Sequence, residues 1–190
     1  RDPTPACGGF VIVIPAEGEE PAHAIVSSHV TPDRVAWALA RKRKQIVTQL
    51  EILYAVAPYH TVPHVFNRRE VIHFIDNTGA LAGLIKGYAC PTDSAYIVNA
   101  FHAHNNCLRA NVFFEYVRSK ANVADLPSRL EMSELFRTLA RVGISRRRTA
   151  VIECQLARID LWMAPGGGWA PRPVRRPKRA HARSAEGVRA

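Results

Sequence analysis

Cysteine is scarce in this 190-residue chain, and its four copies are scattered along it. No two of them have the C-x-x-C spacing of a zinc finger or knuckle, which argues against a structural zinc site. Scattered thiols are typical of a reduced, intracellular protein. A metal site can be imagined at His102, His104 and Cys107, which lie close in sequence. Because a fourth ligand is missing, we interpret these three residues as helix surface and core.

Long hydrophobic runs are absent as well. The longest apolar stretch, residues 10–16, is interrupted by Pro15. It is far shorter than the roughly 18 residues that a membrane-spanning helix requires, and no charged and then apolar leader opens the chain. We therefore predict a soluble protein without a membrane partner, located in the cytoplasm or the nucleus.

Acidic residues are also few relative to basic ones. The chain has 16 Asp and Glu and 26 Lys and Arg, which gives a formal net charge of +10. More than half of this excess lies in residues 171–190, and smaller clusters occupy residues 41–44 and 146–148. Basic clusters attract phosphate backbones through counterion release, without reading any base sequence. The alternative is that these runs are solvated charge in a tail and two loops.

The chain does contain enough apolar residues for a globular fold. At 47% hydrophobic residues, 190 residues can bury the core of one ordinary domain, with tails. The first residue is Arg1 rather than Met. We interpret the chain as a piece of a longer protein.

The first half of the chain has the pattern of a β-hairpin followed by a helix. Residues 8–15 and 22–30 are rich in β-branched residues, and the Gly, Pro and acids between them predict a hairpin loop. Residues 31–45 are ambiguous between helix and basic surface loop, and their state stays open. From residue 45 to 57, apolar residues recur at helical spacing, and Pro58 is predicted to stop the helix.

The second half alternates strands and helices. We predict strands at 71–75 and 111–117, and helices at 78–86, 93–105 and 133–143, the first ended by Gly87 and the last by Gly143. Residues 151–163 could form an amphipathic helix, and residues 164–190 have the Pro, Gly and Arg content of a disordered tail. This order predicts an α/β fold, with a mixed sheet and helices on its faces.

Two acidic residues stand at unusual places in this pattern. Asp76 follows the strand that reads as central, at the carboxyl end where open α/β sheets place active sites. Glu51 lies on or beside the apolar stripe of its helix, next to Val47, Tyr54 and Ala55. Burying a carboxylate without a partner costs several kcal/mol, and bringing two together costs more. Such a pair calls for a cation, and a divalent metal would supply one.

Two further acids carry less information by themselves. Asp125 precedes or opens a helix, where the usual interpretation is an N-cap that accepts backbone hydrogen bonds. Asp2 lies six residues before the Gly8-Gly9 pair that opens a strand, and alone it indicates nothing.

Three stretches around these acids resemble the ribonuclease H domain attached to the reverse transcriptases of retrotransposons. They are QLEILYAVAP around Glu51, FIDNTGALAGLIKG around Asp76 and YVRSKANVADLPSR around Asp125. The third matches the S-x-x-N-x-A-D-x-P-S-R ending of such domains. The similarity covers roughly residues 2–130, which would be the ribonuclease H-like domain, with residues 131–163 as a helical extension and 164–190 as a basic tail.

The resemblance implies a nuclease that cuts the RNA strand of an RNA–DNA hybrid with two Mg²⁺ ions, for which Mn²⁺ could substitute. Four carboxylates would hold the metal and be catalytic: Asp2, Glu51, Asp76 and Asp125. The nucleic-acid contacts it implies are Asn77, Lys86, Ser119, Lys120, Asn122 and Arg129. A polymerase domain would lie upstream in the same polyprotein. Hard Mg²⁺ prefers carboxylate oxygen, so this composition suits it.

Two features depart from the family pattern. The family's first strand would end at Asp2, yet only Arg1 precedes that residue, so we expect a ribonuclease H-like sheet with its first strand truncated. Residues 117–124 also lack the histidine that the cellular enzymes carry before the last aspartate. Two other functions therefore stay open, which are a catalytically inactive module that binds nucleic acid and a degenerate polyprotein fragment.

Overall fold

A computed structural model describes residues 7–32 and 46–156 of the chain. Its strands are β1 (Cys7–Ile14), β2 (His23–Val30), β3 (Glu70–Ile75), β4 (Asn111–Tyr116) and β5 (Thr149–Val151). Its α-helices are α1 (Val47–Thr61), α2 (Pro63–Phe66), α3 (Thr78–Lys86), α4 (Thr92–Leu108), α5 (Asp125–Ser128) and α6 (Met132–Arg141). Within these residues, no helix is long and apolar enough to cross a membrane.

The predicted hairpin is confirmed. β1 and β2 pair antiparallel over their full length, from Cys7 opposite Val30 to Ile14 opposite His23. Gly18 has φ of +60° in the connection, a conformation that glycine adopts without steric cost. The alternating apolar residues of both strands give the pair two apolar faces.

A third strand, which the sequence analysis did not predict, joins this sheet and ends at the first residue of the stretch suggested as a helix. β5 pairs parallel with β2, Thr149 opposite Ala24, and the Ile152 amide then donates to the Val26 carbonyl. The helix predicted at 151–163 is therefore wrong for residues 151–156, none of which is helical. Backbone pairing with β2 overrides the weak helical periodicity of this stretch. Residues 157–163 lie outside the described residues.

β3 and β4 form a second, parallel sheet, in the register Ile72 opposite Phe113. Helices α1, α3 and α4 cover one of its faces with a core that includes Ile75, Leu84, Ile97 and Phe101. Among the described residues, no strand joins β1 to β3. The truncated strand expected to end at Asp2 concerns residues 1–6, which lie outside the described part.

Helix α1 continues through Pro58 and ends at Thr61, so the predicted stop at that proline is wrong. A proline inside a helix loses one hydrogen bond and costs about 3 kcal/mol. The turn after it places Tyr59 in the core with no exposed surface, and the aromatic contacts there offset the cost. The burial of Tyr59, which the local sequence pattern does not indicate, therefore decides where this helix ends.

The predicted bounds of α3 and its end at Gly87 are confirmed, and the structure adds a cap at its start. The Asn77 side chain accepts a hydrogen bond from the Ala80 amide at 2.9 Å, as an N-cap does. Gly87 follows the helix with φ of +72°, the left-handed conformation that ends many helices. Helix α4 extends to Leu108, three residues past its predicted end.

Helix α6 covers one face of the β1–β2 pair. Leu135 and Leu139 are buried there against Ala24, Val26 and Ile144, in a second core cluster. The described part of the chain is therefore a mixed α/β fold with helices packed on its sheets, as predicted at this coarse level. The division at residue 130 stays a prediction, although α6 and β5 both pack on the hairpin.

Candidate active site

Three of the four predicted carboxylates come from separate elements and lie within range of one another's charge. Glu51 lies in the second turn of α1, Asp76 directly follows β3, and Asp125 is the first residue of α5. They are far apart in sequence, so only the tertiary fold brings them together. The fourth, Asp2, is outside the described residues.

The Gly8-Gly9 pair explains how α1 and α5 approach β1 so closely. A Cβ atom at Gly8 would overlap the ring of Tyr54, three residues after Glu51. A Cβ atom at Gly9 would lie 2.6 Å from the Ser27 carbonyl oxygen and 3.0 Å from Pro127 Cβ. Glycine is thus required here for close packing, and this packing places the acids.

Among these carboxylates, Glu51 has the pKa that is shifted most strongly. Burial raises its pKa from the ordinary 4.5 to about 7, and the negative charges of Asp76 and Asp125 add to the effect. An acid with such a pKa is poised near neutrality, as groups in active sites often are. The coupling also shows that the three carboxylates lie within electrostatic range of one another.

Asp125 is held by its own polar neighbours. Burial and the charge of Asp76 raise its pKa, while the Arg129 guanidinium, which donates to it at 3.1 Å, lowers it. The Asn122 amide donates to its other carboxylate oxygen at 3.5 Å. The N-cap residue of α5 is Ala124. The simple N-cap interpretation of Asp125 is therefore not what the side chain does.

The donor set suits a hard divalent cation, although the carboxylates do not form a closed cage. Oxygen ligands are what Mg²⁺ prefers, and the pKa values of Glu51 and Asp125 are raised first by burial and then by neighbouring negative charge, which a cation would offset. Within residues 7–32 and 46–156, no three His, Cys, Asp or Glu side chains lie close enough to hold a metal ion. Mutual repulsion between like charges favours this spacing.

The predicted nucleic-acid contacts fall into two groups, one near Asp125 and one at the two ends of α3. Asn122 and Arg129 contact Asp125, and exposed Ser119 and Lys120 occupy the short 3₁₀ turn that precedes it. Asn77 caps α3 beside Asp76, with its oxygen engaged by the Ala80 amide. Lys86 is exposed in the last turn of α3, about 12 Å along the helix axis from its first residue, Thr78, at 1.5 Å per residue.

One basic cluster lies at the far end of the sheet. Residues 146–148 lead into β5, where Thr149 pairs with Ala24 of β2. Ala24 follows His23, which pairs with Ile14 at the end of β1. The carboxylates instead lie toward Gly8 and Gly9, at the other end of β1. Arg146 is also engaged structurally, because its guanidinium stacks 4.2 Å over the Phe136 ring. The cluster at residues 41–44 lies outside the described residues.

The histidines of α4 have structural contacts. His102 Nε2 lies 3.0 Å from the Leu84 carbonyl oxygen, and His104 Nε2 lies 3.1 Å from that of Tyr59. Cys107 is exposed farther along α4. These side chains have separate neighbours, in agreement with our interpretation of them as helix surface and core.

Two positioning contacts of the site were not found from the sequence. Ser28 Oγ donates to the Pro127 carbonyl at 2.6 Å and so ties α5 to β2. Tyr54 and Thr31 share a buried hydrogen bond at 2.8 Å, beside Gly8. No local pattern indicates either contact, since each joins residues that are distant in the chain.

Comparisons of this chain with protein-family models, with curated proteins and with solved structures give no match.

Proposed function

We propose that this chain is a retroelement-derived ribonuclease H-like domain that hydrolyses RNA in RNA–DNA hybrids. The observation that carries the proposal is that three separate elements bring Glu51, Asp76 and Asp125 within range of one another's charge, which adds to the burial that raises the pKa of Glu51. Acids delivered by a helix, a strand end and a second helix are an unfavourable arrangement without a cation. Because the fold nevertheless holds these three acids near one another, we infer that their negative charge serves to bind a cation.

In this proposal, Glu51, Asp76 and Asp125 hold two Mg²⁺ ions, or Mn²⁺, together with Asp2. When bound, the ions supply an activated water and stabilise the leaving oxygen of the cleaved phosphodiester. The chain's own residues orient the ligands. Asn122 and Arg129 fix the Asp125 carboxylate, and Asn77 fixes the first turn of α3 after Asp76.

The hybrid would lie across the end of the sheet that carries the acids. Lys120, Ser119 and Arg129 flank Asp125 and are exposed, so they are placed to contact the phosphate backbone. A polymerase domain of the same polyprotein, in the cytoplasm or nucleus, would deliver the substrate. Recognition would rest on backbone shape and charge, which is how proteins bind A-form-like duplexes.

Cleavage of a labelled RNA–DNA hybrid in Mg²⁺ by the full chain tests the proposal. Asp76→Asn keeps the shape of the side chain and is expected to lower the rate at least about 100-fold, since loss of a residue that only supports a metal ligand already costs 10–100-fold. Glu131→Gln is the matched control, an exposed acid after α5 that is expected to cut like the unmodified chain. Equal cleavage by Asp76→Asn would contradict the proposal.

The second candidate is an inactive module that binds nucleic acid. It is favoured by the Arg129 guanidinium beside Asp125 and by the absence, among the described residues, of a ready-made group of three ligands. Binding of the hybrid without cleavage in Mg²⁺ or Mn²⁺ would support it, provided that a chain extended by a strand ahead of Asp2 is equally inactive. Neither binding nor a cooperative melt would indicate a degenerate fragment.

A further inference from the structure

The β3–β4 sheet has one uncovered face, which we call the outer face. It consists of Ile72, Phe74 and Phe113, flanked by Glu70 and Glu115. The three apolar side chains are 64%, 58% and 54% exposed, respectively. They are neighbours, because Ile72 pairs with Phe113 and Phe74 with Glu115. The outer face is thus a continuous apolar patch with acidic residues beside it.

This exposure is unusual for the kind of sheet that carries it. Parallel strands occur almost only in sheets covered on both faces. The inner face of this sheet is covered by α1, α3 and α4, and the equivalent outward side of the β1–β2 pair is covered by Leu135 and Leu139 of α6. The outer face of β3–β4 has no such cover within the described residues. A patch of this kind normally marks a binding surface.

The charge of the outer face restricts what can cover it. A second copy that docked face to face would bring Glu70 and Glu115 against the same acids, which is unfavourable. A suitable partner combines large apolar side chains with positive charge. Residues 157–163, ARIDLWM, follow the last described residue and contain the large apolar residues Ile159, Leu161, Trp162 and Met163, while the charge of Arg158 is balanced within the segment by Asp160.

The place where the described chain ends also favours this segment. The Gln155 amide donates to Thr61 Oγ1 at 3.2 Å, at the last residue of α1, and Leu156 is buried. From Thr61 the chain leads through α2 into β3 at Glu70. At about 3.3 Å per residue, Trp162 can lie up to about 20 Å from Leu156. Arginines that follow, from Arg172 onward, add to the positive charge.

We propose that residues 157–163 dock on the outer face, with their apolar side chains on Ile72, Phe74 and Phe113 and with Arg158 near an acidic neighbour. Docking would give the parallel sheet the second cover that its topology requires, and it would anchor the strongly basic segment that follows. This proposal is independent of the proposed nuclease function, because it concerns neither the carboxylates nor their ligands.

Tryptophan fluorescence tests the docking directly, since Trp37, Trp162 and Trp169 are the three tryptophans of the chain and none lies within the described residues. In a full-length Trp37→Phe, Trp169→Phe background, emission reports Trp162 alone. We expect a maximum at shorter wavelength than that of free tryptophan amide, and protection from iodide quenching. Adding Phe113→Lys should shift the maximum to longer wavelength and remove the protection. Val142→Lys, at an exposed apolar residue away from this face, should change neither.

Three results would overturn the proposal. Emission and quenching equal to those of free tryptophan amide would show that Trp162 is not docked. Emission unaffected by Phe113→Lys, in a variant whose thermal melt shows a folded protein, would place Trp162 elsewhere. Protection that disappears on dilution, together with a dimer in light scattering, would assign the outer face to a second copy.

Discussion

The two ends of helix α1 differ in the kind of side chain that surrounds them. Its first half carries Glu51, which faces the negative charges of Asp76 and Asp125. Its last turns carry Tyr59, which stacks on Phe66 at 4.1 Å between ring centroids and meets Phe101 edge-on at 5.0 Å. One end concentrates repulsive charge, and the other concentrates aromatic packing. The packed end stabilises the helix that holds the charged end in place.

The contrast extends to protonation. Burial lowers the pKa of His73, whose ring shares a hydrogen bond with Tyr59 and lies against Phe114, from the ordinary 6.5 to about 4. The Glu51 pKa moves in the opposite direction, to about 7. Stability from Glu51 is present below its unfolded pKa of 4.5 and is lost as pH rises toward 7. Stability from neutral His73 is present above 6.5 and is lost as pH falls toward 4.

The two ends therefore oppose each other where these ranges overlap, between pH 4.5 and 6.5. Variants that change one end and leave the other intact separate their contributions.

Tyr59→Ala should have the largest effect, because it removes a side chain with no exposed surface from the packed end. We expect the free energy of unfolding to fall by about 3–5 kcal/mol, the usual cost of truncating a buried aromatic residue. Urea denaturation measures it. Tyr88→Ala, at a tyrosine that is 60% exposed, is the matched control and should cost far less. Similar losses for both variants would contradict the contrast.

Glu51→Gln should stabilise the charged end. Because the variant cannot ionise, we expect a gain of about 2 kcal/mol in the free energy of unfolding at pH 8 and little change at pH 4. Denaturation at both values of pH measures the difference, with Glu131→Gln as the control. If the proposed function is correct, the same variant loses hybrid cleavage. A variant no more stable than the parent at pH 8 would show that Glu51 is not strained by its neighbours.

His73→Phe should act on the packed end at low pH. The variant keeps an aromatic ring but cannot be protonated. The loss of stability that protonation of His73 causes between pH 6.5 and 4 should therefore disappear. We expect that part to be about 1–2 kcal/mol, because the residue is partly accessible even though its ring is enclosed. The pH dependence of the melting temperature measures it, and exposed His64→Phe should leave it unchanged.

Asn77→Ala should give the smallest effect, since it removes one capping hydrogen bond at the first turn of α3. Loss of an N-cap costs about 1 kcal/mol. Asn77→Asp keeps an acceptor and should recover most of this loss, while Asn99→Ala, at an exposed position within α4, should cost nothing. Chemical denaturation distinguishes these outcomes. An unchanged Asn77→Ala variant would mean that the cap does not hold the turn after Asp76.

Local signals predicted most of the elements. The hairpin, the stop of α3 at Gly87 and the strand before Asp76 follow from side-chain periodicity and from glycine at a helix end, which act within a few residues. The predictions failed where distant contacts decide. α1 passes Pro58 because Tyr59 is buried beyond it, and residues 149–151 form a strand because β2 offers them a backbone partner.

The sequence by itself determined which acids stand at the ends of elements and which residues flank them, because strand ends, caps and glycines are local features. Only the tertiary structure decided that Glu51, Asp76 and Asp125 interact, since their encounter depends on the approach of α1 and α5 to Gly8 and Gly9. It also decided that the outer face of β3–β4 is left exposed. Charge coupling and burial arise between residues distant in the chain, and no local pattern contains them.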